Sequence, residues 1–212
     1  MDKSKKISIA VIRRLPRYFR YLSDLLREGI ERVSSNELSG RMGITASQIR
    51  QDLNNFGGFG QQGYGYNVKT LNAEIGRILG VDNNNKAVII GAGNIGHALA
   101  NYPNFADRGY EIIGIFDVSA DLIGAKVNNL EILDLEKMDE FVSLNKVDVA
   151  ILTVPYQFTR AVAEKMVLLG INAIWNFSPM DLKLPGDVVI ENVHLSDSLM
   201  VLGFKLNKLK HQ

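Results

Sequence analysis

Several common features are absent from this sequence. Its 212 residues include no cysteine, which excludes a disulfide framework, a thiolate zinc site, an iron–sulfur cluster and a cysteine nucleophile. No apolar run approaches the roughly 18 residues of a membrane span, and the first residues carry no cleavage pattern of a secretory signal. We therefore expect a cytoplasmic protein with no metal site and no membrane partner.

Charge is distributed unevenly along the chain. Residues 1–80 contain 13 Lys and Arg against 7 Asp and Glu, whereas residues 81–212 contain 11 against 16. A basic segment attracts the phosphates of nucleic acid, and an acidic one is repelled by them. Because Gly80 and the asparagines after it end a helical pattern between the two parts, we predict separate domains over residues 1–80 and 81–194.

The basic domain carries the pattern of a helix-turn-helix. Ser34 or Ser35 can cap a short helix that ends before Gly43, and Thr45 lies at capping-box spacing from Gln48 at the start of the next helix. That next helix has an apolar inner face, with Ile49, Leu53 and Phe56 at i, i+4 and i+7, and a polar face that points outward. The polar face consists of Ser47, Gln48, Arg50, Gln51, Asn54 and Asn55.

This polar face suits the base edges of a DNA major groove, because arginine can bond guanine in a bidentate manner and asparagine or glutamine can bond adenine. A glycine-rich stretch at 57–65, followed by Tyr66, predicts a hairpin that completes a winged helix. Helix pairs with polar faces also occur in protein–protein modules, which is the alternative. The residues expected to contact DNA are Ser47, Gln48, Arg50, Gln51 and Asn54 on the helix, and Gln61, Gln62 and Tyr64 on the wing.

The acidic domain alternates between β-rich apolar runs and helical patterns. Near-continuous apolar strands joined by helices are typical of a mostly parallel sheet that is covered on both faces. We therefore predict an α/β fold with a doubly wound parallel sheet. The predicted strands cover residues 87–91, 111–117, 147–154, 171–177 and 188–193.

A glycine motif follows the first predicted strand. The sequence Gly91-Ala92-Gly93-Asn94-Ile95-Gly96 opens a helix, and Asp117 ends the second strand 21 residues beyond Gly96. In this context the glycines allow a tight turn, close approach of a pyrophosphate and close packing of helix against sheet, while the helix N-terminus attracts the phosphates. Asp117 can bond ribose hydroxyls and would repel a 2′-phosphate. The motif therefore predicts a site for NADH/NAD⁺ rather than NADP(H).

Two further loops are expected to border the dinucleotide, because ligands of such sheets bind at the carboxyl ends of the strands. One loop contains Thr153, Val154 and Pro155, and the other contains Asn176 and Phe177. Phe177 can lie against the nicotinamide ring or belong to the core.

Catalytic groups are scarce. Hydride transfer to a substrate normally needs a general acid or base, and the three histidines lie in the dinucleotide-binding helix (His97), after the last strand (His194) and in the tail (His211). We therefore do not expect an enzyme. The alternative is a small NAD(H)-dependent oxidoreductase whose basic N-terminal part is an interaction module.

The tail at 195–212 predicts a helix with leucines at spacings of four and three residues. With Met200, Val201 and Phe204, its apolar residues occupy nearly all sides, which favours insertion between two subunits. We therefore predict a homodimer. Two helix-turn-helix units on a two-fold axis require operator DNA with an inverted repeat.

Short motifs also occur in a fixed order along nearly the whole chain. They are RLPRYFRYL (14–22), IRQDLNNFG (49–57), the glycine-rich wing (58–66), GAGNIGHALANYP (91–103), LTVP (152–155), NFSP (176–179) and IENV (190–193). In this order they resemble the Rex family of bacterial redox-sensing transcriptional repressors. The resemblance implies a homodimer with an N-terminal winged helix, a Rossmann-like core and a C-terminal helix swapped onto the partner. It also implies that NADH binding releases the repressor from DNA.

The resemblance further implies a switch network. Arg20 and Tyr102 match an arginine and a tyrosine of that network. Gln51 stands where family members usually have a lysine, and His194 stands where many have the aspartate that pairs with the arginine and the tyrosine. Either Asp197, one helical turn further on, replaces this aspartate, or the network works differently in this chain.

Overall fold

The chain folds into two compact units, Met1–Asp82 and Asn83–Gln212, called here the N-terminal and C-terminal units. The structure is a computed structural model and describes residues 7–56, 60–61 and 64–210. The division falls two residues beyond the predicted boundary at Gly80.

The N-terminal unit contains the predicted helix-turn-helix, with three residues between its two helices. Its elements, in chain order, are α1 (Ile9–Ile12), α2 (Leu15–Arg27), β1 (Arg32–Val33), α3 (Ser35–Met42), α4 (Ala46–Asn54), β2 (Gly60–Gln61), β3 (Gly65–Asn67) and α5 (Val68–Leu79).

Local sequence explains where α3 and α4 begin and end. Ser34 and Glu37 form a capping box, because each side chain accepts a hydrogen bond from the backbone N–H of the other residue. Gly43 ends α3 with a φ of +65°, which favours glycine. Thr45 caps α4 by accepting from the Gln48 N–H at 3.1 Å, but the side chain of Gln48 bonds elsewhere and does not complete a second box.

One apolar cluster holds the N-terminal unit together. Ile49 and Leu53, the predicted inner face of α4, are buried in it, and Phe56 packs against its edge. The other helices contribute Leu15, Tyr18, Leu22, Leu25, Leu38, Met42, Val68, Leu71 and Ile75. Burial of this cluster fixes the orientation of α4, so that its opposite face is turned to solvent.

A small antiparallel sheet with the strand order β1-β3-β2 completes this unit. The β2–β3 hairpin is the predicted wing. Strand β1 is not predicted by the sequence, because two residues are too few to show an alternating pattern. It pairs Arg32 with Asn67 and Val33 with Tyr66 and thereby anchors the base of the wing.

The C-terminal unit is the predicted α/β fold. Its elements are β4 (Asn85–Ile90), α6 (Asn94–Ala100), β5 (Tyr110–Asp117), β6 (Lys126–Val127), β7 (Leu130–Asp134), α7 (Met138–Leu144), β8 (Val149–Leu152), α8 (Tyr156–Leu168), β9 (Ala173–Asn176), β10 (Val189–Asn192) and α9 (Leu195–Lys210). Short 3-10 turns lie at Ala106–Arg108 and Leu135–Lys137.

The strand order in this sheet is β10-β9-β8-β4-β5-β7-β6, and all neighbouring pairs are parallel except β6 and β7. The chain leaves β4 first toward β5 and later returns to its other side with β8. This reversal confirms the doubly wound arrangement and creates a crevice at the carboxyl end of β4, where such folds bind ligands.

The β6–β7 hairpin at one edge of the sheet is a feature that the predicted strands omit. Asn128 and Asn129 connect the two strands with φ values of +47° and +66°, as in the type I′ turns that join tight hairpins. An Asn-Asn pair between apolar residues is the sequence signal that indicates this turn.

Helix α9 differs from the other helices in its exposure. None of its residues, all of which lie within the described part of the chain, is buried. Within the described ranges, no helix is both long and apolar enough to cross a membrane.

Candidate functional site

Helix α4 presents the polar face that the sequence predicts. Gln48 is half-buried, and the exposed members are Ser47, Arg50, Gln51 and Asn54. Asn55, expected on the same face, is half-buried because its Nδ2 donates to the carbonyls of Gln51 and Asp52. Arg50 is held by the start of α3, because its Nη1 donates to Ser35 Oγ at 2.9 Å. The face therefore combines a guanidinium, two amides and a hydroxyl on one exposed surface.

The inner side of α4 carries a carboxylate, Asp52, with no exposed surface. Arg14 forms a bidentate ion pair with it, from Nε to Oδ2 at 2.6 Å and from Nη2 to Oδ1 at 2.7 Å. The Tyr18 hydroxyl donates to Oδ2 at 2.9 Å, and Gln48 Nε2 donates to Oδ1 at 2.8 Å. The three hydrogen bonds from Arg14 and Tyr18 fasten α4 to the beginning of α2, and the fourth, from Gln48, lies within α4.

The protonation states in this cluster follow from its contacts. Burial acts to raise the pKa of Asp52, but the hydrogen bonds from Arg14, Gln48 and Tyr18 outweigh burial and hold that pKa below its usual value. Burial and the adjacent carboxylate raise the pKa of Tyr18. At neutral pH the cluster is therefore a carboxylate, a guanidinium and a neutral phenol.

In the wing, formed by β2 and β3, Tyr64 directly precedes β3. Tyr64 is 69% exposed. Arg32 supports it, because its Nη1 donates to the Tyr64 carbonyl at 3.3 Å and its guanidinium lies 6.0 Å from the centre of the Tyr64 ring. Gln62 and the side chain of Gln61 lie outside the described residues, so their predicted DNA contacts remain predictions.

In the C-terminal unit the glycine loop joins β4 to α6. Gly91 has a φ of +104°, and a Cβ there would lie 2.9 Å from the Thr153 backbone. A Cβ on Gly96 would lie 2.0 Å from the Gly91 carbonyl oxygen, whereas a Cβ on Gly93 would meet nothing within 4 Å. Packing within the protein thus requires glycine at positions 91 and 96. At Gly93 no protein atom occupies the space that a Cβ would fill, so a ligand can approach the backbone there.

The loop fits a dinucleotide phosphate. The N-cap residue of helix α6 is Gly93, which supplies no side-chain cap, so the first N–H groups of the helix are available to an anion. Asp117 lies beside the loop, where its Oδ2 accepts from the Ala92 N–H at 2.6 Å and its Oδ1 accepts from the N–H groups of Val118 and Ser119. The structure therefore places Asp117 beside the loop residues Ala92, Gly93, Asn94 and Ile95. The Asp117 carboxylate also orders the turn that follows it.

The two other predicted loops also lie at the carboxyl ends of strands. Thr153 donates its hydroxyl to the Gly91 carbonyl at 2.6 Å, so it holds the glycine loop, and Val154 and Pro155 follow it toward solvent. Asn176 is fully buried, and its Nδ2 donates to the Met180 carbonyl and to Asn192 Oδ1. The Asn176 side chain therefore orders its loop instead of facing the crevice.

Phe177 is half-buried and belongs to a row of aromatic rings. Its ring centre lies 4.6 Å from that of Trp175, which lies 5.7 Å from Phe105, and Phe105 lies 4.9 Å from Tyr102. The row connects the loop after β9 with the end of α6. Among the described residues, no cluster of three or more His, Cys, Asp or Glu is suited to a metal ion.

Two protein-family models match the chain, one over much of each unit. The model described as a putative DNA-binding protein N-terminus matches residues 6–54, and the model described as a CoA binding domain matches residues 82–180.

Curated relatives match almost the entire chain. The redox-sensing transcriptional repressor Rex of Thermoanaerobacter pseudethanolicus is 54% identical over 98% of this chain and 93% of its own length. The protein of the same name from Clostridium botulinum is 53% identical over 98% of this chain and 99% of its own length. The chain belongs to the Rex family of redox-sensing transcriptional repressors.

Solved structures of Rex-family proteins share this fold. The crystal structure of RSP in complex with beta-NAD⁺ and operator DNA is 53% identical, with a TM-score of 0.90 over 96% of this chain and 94% of that one. RSP in complex with beta-NADH is 50% identical, with a TM-score of 0.89 over 97% of both chains. Membership in a family of repressors confirms the expectation of a regulator and not an enzyme.

The residues that the Rex resemblance assigns to a switch lie on separate elements. Arg20 is exposed on α2, with its guanidinium 5.5 Å from the centre of the Tyr21 ring. Tyr102 follows α6 and is 51% exposed. Asp197 lies exposed in the first turn of α9. That these residues act together with His194 remains a prediction.

His194 has a partner that the sequence does not indicate. Its Nε2 lies 2.9 Å from Asp181 Oδ1, and this hydrogen bond raises the pKa of His194 above its usual value. At the position where the Rex resemblance implies an aspartate, this chain carries an imidazole that is hydrogen-bonded to a carboxylate. Asp181 lies in the loop after β9, too far along the sequence for spacing to suggest the pair.

Asp52 is the main residue of the site that the predicted DNA contacts omit. A signal for it exists in the sequence, because Asp52 stands between Ile49 and Leu53 on the apolar side of an amphipathic helix. An acidic residue on such a face requires buried partners. The sequence does not reveal that these partners are Arg14, Tyr18 and Gln48.

Proposed function

We propose that this chain is a redox-responsive repressor that binds an inverted-repeat operator as a homodimer and leaves it when NADH binds. The observation that carries the proposal is the RSP complex with beta-NAD⁺ and operator DNA, a structure that is 53% identical and shares the fold at a TM-score of 0.90. A repressor must reach chromosomal DNA, so we place its action in the cytoplasm.

The N-terminal unit is the DNA-binding part in this proposal. Helix α4 enters a major groove, and the wing lies along the adjacent backbone. The exposed polar face of α4 and the basic charge of residues 1–80 support this placement. The contacting residues are Ser47, Gln48, Arg50, Gln51, Asn54, Gln61, Gln62 and Tyr64.

The C-terminal unit is the sensor. The open space at Gly93 and the uncapped start of α6 support binding of the pyrophosphate there. Asp117, which lies beside the loop, bonds the adenine ribose in this proposal. The residues around the dinucleotide are Gly91, Ala92, Gly93, Asn94, Ile95, Gly96, Asp117, Thr153, Val154, Pro155 and Phe177, with Asn176 supporting the last loop.

NADH rather than NAD⁺ is the releasing ligand in this proposal. The reduced nicotinamide ring is neutral and the oxidised ring carries a positive charge, so an apolar pocket disfavours the oxidised ring through desolvation. The half-buried aromatic rings of Phe177 and Trp175, at the carboxyl end of β9, support an apolar pocket for the nicotinamide ring. A ligand shifts the protein between two states only through its difference in affinity for them.

The homodimer is proposed from α9. Its side chains Leu195, Leu199, Met200, Val201, Leu202, Phe204, Leu206 and Leu209 are between 47% and 72% exposed, which is costly in water. An apolar cavity of about 410 Å³ on one face of the C-terminal sheet, lined in part by Val149, Ile151 and Trp175, offers further surface for a second copy. We propose that α9 is exchanged between the two protomers.

The experiment is fluorescence anisotropy at one stated salt concentration, since phosphate contacts make affinity salt-dependent. The probe is the operator duplex used with RSP, measured without ligand, with NAD⁺ and with NADH, beside a scrambled duplex. We expect specific binding that NADH abolishes and NAD⁺ preserves. Equal binding to both duplexes would refute the proposed operator recognition. Specific binding that NADH leaves unchanged would refute the proposed sensing of NADH.

A further inference from the structure

The amide of Gln48, on the polar face of α4, is held by a hydrogen bond to a buried carboxylate. Its Nε2 donates to Asp52 Oδ1 at 2.8 Å, whereas the exposed Gln51 and Asn54 make no side-chain hydrogen bond to any residue within the described ranges. A polar cavity of about 400 Å³ lies beside it, lined by Ser8, Val11, Arg14, Gln48, Gln51, Asp52 and Asn55. The Gln48 amide is thus bonded to Asp52 on one side and borders the cavity on the other.

The identity of Asp52 decides which end of the Gln48 amide faces the protein. A carboxylate can only accept hydrogen bonds, and Arg14 and Tyr18 already donate three to the same group. The carbonyl oxygen of Gln48 cannot take the place of its NH₂ group without facing a negative charge. The amide therefore has one orientation, with its oxygen and its second N–H directed away from Asp52.

We propose that Asp52 acts as a positioning residue for Gln48, and that Gln48 in this fixed orientation reads an adenine in the major groove. Adenine presents an acceptor and a donor, N7 and the N6 amino group, and an amide with one free oxygen and one free N–H matches this pair. Guanine presents two acceptors and does not match it. The ordered side chain also loses less conformational entropy when it binds.

The proposal rests on the function proposed above, and its test separates the two. The full-length chain is titrated against the RSP operator duplex and a set of duplexes in which each half-site base pair is replaced symmetrically. Wild type, Gln48→Ala, Asp52→Asn and the double variant are compared at fixed salt, with circular dichroism to verify folding. Asp24→Asn is the matched control, because Asp24 is a half-buried carboxylate on α2 whose ion pair is with Arg27 and not with any residue of α4 in the described ranges.

We expect wild type to discriminate at one A·T pair by about tenfold or more. Gln48→Ala and Asp52→Asn each reduce that discrimination toward one, while the preferences at other positions persist and Asp24→Asn retains them all. Because Asp52 acts through Gln48, adding Asp52→Asn to Gln48→Ala changes the discrimination at this pair no further.

Three results would overturn the proposal. If the wild-type protein shows no base preference, the proposed repressor function is refuted as well. If the wild-type protein binds specifically and Gln48→Ala keeps every base preference, only the proposal that Gln48 reads a base is refuted. If Asp52→Asn weakens binding equally at all base pairs, Asp52 is solely structural. Should Asp52→Asn not fold, Gln48→Met, which keeps the length of the side chain but cannot form hydrogen bonds, must still lose the preference.

Discussion

The two units place their functional groups differently. In the N-terminal unit, exposed side chains on α4 are arranged by a buried ion pair between Asp52 and Arg14. In the C-terminal unit, the glycine loop presents backbone N–H groups, and packing of Gly91 and Gly96 fixes its shape. One site therefore depends on charge and the other on the absence of Cβ atoms, so the two should respond to different perturbations.

The substitution with the largest expected effect is Asp52→Ala in the N-terminal unit. It leaves the guanidinium of Arg14 and the hydroxyl of Tyr18 without their buried acceptor, at a cost of about 3 kcal/mol of folding free energy. Chemical denaturation followed by circular dichroism measures this loss, and the fluorescence of Trp175 reports the C-terminal unit separately. Asp24→Ala, which removes an exposed ion pair, should cost less than about 1 kcal/mol. Equal losses for both variants would contradict the role of the buried pair.

Acid should also weaken the N-terminal unit, through Asp52. The pKa of Asp52 is lower in the folded protein than in the unfolded chain, so its contribution to stability is complete above the usual aspartate pKa of about 4 and is lost as pH falls through the lower, folded value. Unfolding measured between neutral pH and pH 2 should show a loss that Asp52→Asn does not share. A variant with the same acid profile as wild type would assign the loss to other carboxyl groups.

The contrast between the units explains what could be predicted from sequence. Glycines at Gly91, Gly93 and Gly96 are tied to one backbone geometry, so their spacing predicts the dinucleotide loop directly. The doubly wound sheet follows from its apolar runs for a similar reason. Backbone requirements of this kind are local and leave a pattern that can be read along the chain.

Side-chain networks leave a weaker pattern. The sequence indicates that α4 has a polar face, but two of the three partners of Asp52, Tyr18 and Arg14, lie 34 and 38 positions away, and only the tertiary fold brings them to it. The pair of His194 with Asp181 was missed for the same reason. The short strands β1 and β6 were missed because two residues show no period.

Gly96→Ala should disable the sensor while leaving the DNA-binding unit folded. The added Cβ would lie 2.0 Å from the Gly91 carbonyl oxygen, which forces the loop apart at a cost of about 1–3 kcal/mol. We expect no measurable NADH binding in a fluorescence titration and an operator complex that NADH no longer releases. The matched variant is Gly93→Ala, whose Cβ meets no protein atom. It should retain wild-type stability and lose NADH affinity, and normal NADH binding by both variants would exclude this loop as the site.

Arg50→Ala tests whether an exposed side chain of α4, the helix held by the Asp52–Arg14 ion pair, reads a base. If Arg50 bonds a guanine, operator affinity should fall by roughly 1–3 kcal/mol, with preference relaxed at one base pair. Arg27→Ala removes the same charge from the exposed end of α2 and should change affinity far less. Anisotropy on the operator and on substituted duplexes measures both variants. An identical, sequence-independent loss for the two would reduce Arg50 to a general surface charge.

Thr45→Ala has the smallest expected effect and separates the units most cleanly. The Thr45 hydroxyl accepts from the Gln48 N–H at the start of α4, and loss of such a cap costs about 1 kcal/mol. Because the cap orders the turn that carries Ser47 and Gln48, operator affinity should fall modestly while NADH affinity is unchanged. Thr70→Ala is the control, since the Thr70 side chain is exposed on α5 and only its backbone N–H serves the Asn67 cap. A change in NADH affinity in Thr45→Ala, measured without DNA, would show that the two units are coupled even in the free protein. It would contradict the expectation that the DNA-binding site and the dinucleotide site respond to different perturbations.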